Sequence, residues 1–143
     1  MEKPKIFILE DNLFYANLLK SRLEEMGYHN IQLFSTTEGL LREIHQQPSL
    51  VFLDHNLPDG KGLNVLKEVK STYPFVNCVM VSGQATIGVA IESLKYGAHD
   101  YLLKGKDDNS AKLKKVIGEC MTLKHPNESS NNRTLFGNLL NLF

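Results

Sequence analysis

The sequence predicts an α/β fold: a (βα)5 chain doubly wound around a parallel five-stranded sheet. Two observations carry this. Short apolar runs recur five times, as in strands buried on both faces of a parallel sheet, and each is followed by a longer stretch with apolar residues at helical spacing. The first run, Ile6 to Leu9, leads to Ala16, Leu19, Leu23 and Met26, one face of a helix that Gly27 stops. The second, Ile31 to Phe34, precedes Ser35-Thr36-Thr37-Glu38. That tetrapeptide fits a capping box, with the Ser35 hydroxyl and the Glu38 carboxylate satisfying reciprocal backbone donors, and it opens a helix through about Gln46. The third run, Leu50 to Leu53, is followed by Leu63, Leu66, Val69 and Tyr73, a helix ended by Pro74. The fourth, Cys78 to Val81, is followed by Ile87, Ile91 and Leu94, closing near Gly97. The fifth, Tyr101 to Leu103, is followed by Leu113, Val116, Ile117 and Cys120. Parallel neighbours need right-handed crossovers, which put helices on both faces of the sheet. In such a sheet the chemistry collects at the carboxyl ends of the strands.

Composition narrows the function classes. The 143 residues carry 16 Lys plus Arg and 16 Asp plus Glu, a net charge of zero. That leaves no global positive field for a polyanion, so neither direct nucleic-acid binding nor attachment to an acidic membrane is expected. With 42% hydrophobic residues the chain reads as one globular domain with a short appendage. Cys78 and Cys120 stand far apart with no CxxC pair, which argues against a disulfide framework or a thiolate zinc site and for reduced, partly buried thiols. The amino terminus lacks a signal-peptide core or a membrane span, so a cytoplasmic location is expected. Two glycosylation sequons at Asn127 and Asn132 are read as chance matches.

The residues just past each strand form a constellation. The first strand delivers Glu10 and Asp11, the third Asp54, His55 and Asn56, the fourth Ser82 and Gly83, and the fifth Lys104. Carboxylates packed together repel and raise one another's pKa unless a cation offsets them. All-oxygen ligation by a few carboxylates suits Mg²⁺ better than Zn²⁺ or Ca²⁺. Lys104 can then act as a point charge for a phosphoryl group and Ser82 as a hydrogen-bond donor, with Asp54 the central candidate for nucleophile. His55 reads as a loop histidine in solvent, and Lys112, Lys114 and Lys115 as the wet face of the fifth helix.

With these residues in order, the chain from about Lys5 to Leu123 resembles the receiver domain of bacterial two-component response regulators, the CheY-like, flavodoxin-like fold with strand order 2-1-3-4-5. The resemblance rests on Glu10-Asp11, on Asp54 to Gly62 (DHNLPDGKG), on Ser82-Gly83 and on Gly97 to Lys104 (GAHDYLLK). It implies that Asp54 accepts a phosphoryl group from a sensor histidine kinase or a histidine phosphotransfer protein. Mg²⁺ would be held by Glu10, Asp11, Asp54 and the backbone carbonyl of Asn56. It also implies that Lys104 pairs with the phosphoryl oxygens, that Ser82 moves to them and Tyr101 follows inward, and that Asn56 and Gln84 tune hydrolysis. The face formed by the fourth helix, fifth strand and fifth helix would then change and be read by a downstream protein. Such a chain is a phosphoacceptor that promotes its own phosphotransfer and autodephosphorylation, not an enzyme acting on a separate substrate. In one respect the chain departs from the family: Lys104 is followed by Gly105 where a proline is usual, so the bond should be trans.

Other readings fit less well. A phosphatase of the haloacid-dehalogenase type would need a second Asp two residues after the nucleophile, where this chain has Asn56. The Gly-Lys pairs lack the frame of a P-loop, and Ser82 is not in a GxSxG elbow. A phosphate-independent receiver-like interaction module is the alternative that stays open. The expected domain is 1–124. In 125–143 a linker rich in Asn and Ser leads to an apolar stripe of Leu135, Phe136, Leu139, Leu140 and Phe143, for which docking, a homodimer contact or the start of an output segment all compete.

Overall fold

The structure is a computed structural model and describes residues 4–84 and 86–122. The expectation for the segment 125–143 lies outside the described residues. Five strands form one parallel sheet: β1 (Ile6–Leu9), β2 (Ile31–Phe34), β3 (Leu50–Asp54), β4 (Asn77–Ser82) and β5 (Asp100–Leu103). Their order is β2-β1-β3-β4-β5, with Ile6 level with both Ile31 and Leu50, Leu50 with Asn77, and Val79 with Asp100. Five helices connect and close it: α1 (Leu13–Glu25), α2 (Thr37–Glu43, continued as a 3₁₀ turn Ile44–Gln46), α3 (Gly62–Thr72), α4 (Ile87–Lys95) and α5 (Ser110–Thr122). A two-residue hairpin, Asn56–Leu57 with Gly60–Lys61, stands between β3 and α3.

Alternate side chains of each central strand feed two separate cores, as the period of two requires. Phe7, Leu9, Val51, Leu53 and Met80 pack with Leu40 of α2, Val65, Leu66 and Val69 of α3, and Ala90 of α4. Ile6, Ile8, Leu50, Phe52, Val79 and Leu102 pack with Leu19 and Leu23 of α1 and with Leu113, Val116 and Ile117 of α5. The helices thus divide three to one face and two to the other, and the sheet's carboxyl edge is left open between them.

Several sequence expectations need correcting. The Ser35–Glu38 capping box does not form: the N-cap is Thr36, whose hydroxyl accepts from the Gly39 N–H at 3.1 Å, while Glu38 pairs with Arg42 one turn on. Asp59 reaches across from the hairpin loop and accepts from the Thr37 and Glu38 N–H groups at 3.0 and 3.3 Å, so the Glu38 N–H that the Ser35 hydroxyl would have used is already taken. β2 is not buried on both faces: as an edge strand it is half-buried, and Gln32 faces solvent. On α4 the buried residues are Ala90, Ser93 and Leu94, whereas Ile87 and Ile91 are exposed. Small Ala90 and Ser93 let the helix lie close to the sheet, so the bulkier isoleucines fall on its outer side. Cys78 and Cys120 are fully buried, not partly, and both are free thiols. Burial pushes the Cys78 thiol up to about 12 and the Cys120 thiol up as well.

Candidate functional site: an acidic cluster at the sheet edge

The two central strands that meet at the carboxyl edge each end in a carboxylate. Glu10 follows β1 and is buried; Asp11 is exposed; Asp54 closes β3 and is buried. The three side chains bring ligand oxygens within 4.8 Å of one another. Lys104, just past β5, donates to Glu10 Oε1 and stands 3.5 Å from Asp54 Oδ1. Burial, and then the hydrogen bond shared with Asp54, push the Glu10 carboxyl up to about 7, and the Lys104 ammonium opposes that rise. Such a cluster of hard oxygen donors fits a hard divalent ion.

Asp54 is placed by a close backbone approach. The first residue of α3, Gly62, lies so near the end of β3 that a Cβ there would sit 2.0 Å from the Asp54 carbonyl oxygen, and its N–H donates to the His55 carbonyl at 2.9 Å. Only glycine permits that approach. His55 itself is half-buried rather than in open solvent; burial, then the nearby Lys61, hold its pKa below the usual histidine range. Asn56 is exposed in the hairpin, its side-chain oxygen accepting from Lys61 Nζ at 3.2 Å.

The Ser82 hydroxyl is engaged within its own loop. It donates to the Gln84 carbonyl at 2.9 Å and accepts from the Gln84 N–H at 3.2 Å. Tyr101 is buried, and its hydroxyl donates to the same Gln84 carbonyl at 3.2 Å. Two hydroxyls from β4 and β5 therefore converge on one acceptor, and Tyr101 already lies inward in this structure.

Lys104 is followed by a trans bond, and Gly105 has φ +82°, a left-handed conformation closed to proline and costly for other side chains. The glycine thus takes a defined left-handed turn. Two aspartates hold it: Asp107 Oδ2 accepts from the Leu103 N–H at 2.9 Å, and Asp108 Oδ1 accepts from the Gly105 N–H at 3.1 Å.

With this geometry in view, the comparisons with known proteins agree. The family model described as the response regulator receiver domain matches residues 6–117. The chain belongs to the response regulator receiver domain family. Among similar sequences are the luminescence regulatory protein LuxO of Vibrio campbellii, 32% identical over 68% of this chain, and the transcriptional regulatory protein ZraR of Escherichia coli K12, 30% identical over 78%. The chain spans only 21% and 26% of those two proteins. Among solved structures, a CheY-like receiver domain protein from Methanospirillum hungatei matches with a TM-score of 0.76 at 25% identity, covering 85% of this chain and 96% of that one. The receiver domain of NtrX from Brucella abortus matches with a TM-score of 0.75 at 27% identity, covering 82% and 98%.

The receiver's edge holds residues that the sequence reading passed over. Gly62 ends the Asp54–Gly62 motif, and a glycine opening a helix straight after the loop that follows β3 is the signal of its packing role. Asp59 caps α2 from outside that helix, which local spacing cannot reveal; the backbone donors of Thr37 above all hold its carboxyl below the usual range. Tyr15 and Asp108, on α1 and ahead of α5, meet at Lys104 only in the folded receiver. Among the described residues no helix is long and apolar enough to cross a membrane.

Proposed function

We propose that this receiver domain, which stands in two-component signalling between a histidine kinase or other phosphodonor and a downstream effector, takes the phosphoryl group on Asp54. A carboxylate oxygen of Asp54 forms the new bond to phosphorus as the P–N bond to a donor imidazole breaks, and the imidazole nitrogen keeps the electron pair and takes up a proton. The observation that carries this reading is the convergence of Glu10, Asp11 and Asp54 within 4.8 Å, with the Lys104 ammonium 3.5 Å from the Asp54 carboxylate.

Glu10, Asp11 and Asp54, together with the Asn56 carbonyl, would hold Mg²⁺, which offsets their charge and that of the incoming phosphoryl oxygens. Lys104 supplies the second positive charge, and it must yield Glu10 to do so fully. Ser82 reaches a phosphoryl oxygen only by leaving Gln84. Because Tyr101 donates to the same Gln84 carbonyl, that departure leaves the tyrosine as the remaining hydroxyl donor to it, and through Tyr101 the change reaches β5 and its flanking helices. A downstream protein reading the α4-β5-α5 face then responds to a shifted population of loop conformations. Asn56 and Gln84 are neutral amides, so hydrolysis is neither blocked by charge nor supplied with a base, and a phosphoryl lifetime short of many hours follows.

On this reading the receiver is a cytoplasmic phosphoacceptor that promotes its own phosphotransfer and autodephosphorylation. It has no separate substrate to turn over. Incubation with acetyl phosphate and Mg²⁺ should add one phosphoryl group to the intact mass, and the adduct should be absent in Asp54→Asn. If the wild type gains no adduct while binding Mg²⁺, a phosphate-independent interaction module takes the reading's place.

A further inference from the structure

In the receiver edge Lys104 carries the positive charge, yet the residue after it is a glycine at φ +82°. Glycine restricts its neighbour least of all residues, so something else must hold the lysine in place. A side chain of α1 is placed to do so. The Lys104 ammonium stands over the ring of Tyr15, 4.5 Å from its centroid. The Tyr15 hydroxyl donates to Asp108 Oδ2 at 2.7 Å. Asp108, buried to 5% exposure, is itself held twice more: its Oδ1 accepts from the Gly105 N–H at 3.1 Å, and Arg22 of α1 lies 3.4 Å from its Oδ2 and donates to its backbone carbonyl at 2.8 Å.

One carboxylate therefore ties together the glycine that follows the lysine, the ring beneath the lysine, and helix α1. Tyr15 also walls a small cavity together with Glu10, Phe52, Asp54 and Val81, so a shift of the ring would open room beside the two carboxylates. A cation over an aromatic face is attracted to it with a preferred height and position, which an aliphatic side chain would not supply.

We infer that Tyr15, clamped by Asp108, is a positioning residue for Lys104, doing in this chain what the residue after the lysine does not. The inference rests on the reading of Asp54 as phosphoacceptor for its kinetic consequence, but its geometric content stands apart from it. Tyr15→Phe keeps the ring and removes the hydrogen bond to Asp108; Tyr15→Leu removes both.

Two measurements on the full chain test it. In NMR spectra the Lys104 ε-methylene protons should be shifted upfield by the Tyr15 ring, the shift surviving in Tyr15→Phe and vanishing in Tyr15→Leu. The rate of phosphorylation by acetyl phosphate with Mg²⁺ should fall on the order of tenfold in Tyr15→Leu and less in Tyr15→Phe. In a Lys104→Met background the same Tyr15→Leu change should cost no further rate, because the ring acts through the ammonium. Lys104 resonances at exposed-lysine values in the wild type would overturn the inference. So would a Tyr15→Leu rate equal to wild type, or a loss undiminished in Lys104→Met. If Tyr15→Leu fails to fold, the wild-type shift and the Tyr15→Phe pair still decide. A shifted Lys104 in a wild type that gains no phosphoryl group would sink the phosphoacceptor reading and leave the clamp standing; the converse result would do the opposite.

Discussion

Adding one methyl group at Gly62 should damage the receiver out of proportion to its size. The Cβ of Gly62→Ala would lie 2.0 Å from the Asp54 carbonyl oxygen, 2.9 Å from its carbon and 3.2 Å from the His55 Cα, against an ordinary contact of 3.4–4 Å. All three atoms are backbone, so no side chain can rotate away; β3 and α3 must separate. Overpacking of this kind costs about 1 to 3 kcal/mol, and parting the Gly62 N–H from the His55 carbonyl adds about 1 kcal/mol. The better helix propensity of alanine returns about 0.5 to 1 kcal/mol. A net loss of about 1 to 3.5 kcal/mol follows, lowering a urea midpoint by about 0.5 to 2 M at a slope of about 2 kcal/mol/M. Gly118 supplies the internal control. It is exposed on α5 with nothing within 4 Å of an added methyl, so Gly118→Ala should instead gain about 0.5 to 1 kcal/mol. Urea unfolding followed by circular dichroism compares the two. Equal effects, or a Gly62→Ala protein as stable as wild type, would refute the claim that close backbone approach sets the position of Asp54.

Further outcomes follow from the same structure. Because burial raises Glu10 from 4.5 to about 7, its contribution to stability is fully present below pH 4.5 and is lost as pH rises through 7; a metal-free denaturation series should show this slope, flattened in Glu10→Gln. Mg²⁺ affinity, followed by titration calorimetry, should weaken as pH falls below about 7, since the ion needs the carboxylate that the proton occupies. Removing the α2 cap in Thr36→Ala should cost about 1 kcal/mol in the same unfolding assay, whereas Ser35→Ala should change little. Cys78 and Cys120, buried and with raised thiol pKa values, should stay inert to a thiol reagent until the protein is denatured.

The sequence disclosed most where one residue type has one cheap use. Continuous apolar runs point to strands covered on both faces, and β1, β3, β4 and β5 lie as read, with ends one residue longer at most, while the edge strand β2 is only half-buried. The acidic set was legible because strand ends share an edge whatever the detail of the loops. Burial of individual helix residues was less legible: the pattern Ile87, Ile91, Leu94 is helical, but periodicity does not say which side of α4 meets the sheet, and Ala90 and Ser93 do. Long-range polar contacts were not legible at all. Thr36 caps α2, and Asp59, more than twenty positions away in sequence, takes the Glu38 N–H that the Ser35 hydroxyl was expected to accept from. Likewise Tyr15 looked like one more side chain of α1 until Asp108 and Lys104 met it from the far end of the chain.

Gly105 acquires a physical meaning only in three dimensions. At φ +82° the chain turns so that Asp107 and Asp108 reach back to the backbone of Leu103 and Gly105. The Lys104 ammonium, just ahead of this turn, lies against Glu10 and Asp54.

Locating the phosphoryl group puts the role of Asp54 to the sharpest test. After exposure to acetyl phosphate and Mg²⁺, borohydride reduces an aspartyl phosphate to homoserine, which peptide mass spectrometry can assign to a position. Homoserine is expected at position 54 and nowhere else, and none when Mg²⁺ is chelated. Modification at another carboxylate, or an unmodified position 54 in a folded, Mg²⁺-binding protein, would contradict Asp54 as the phosphoacceptor.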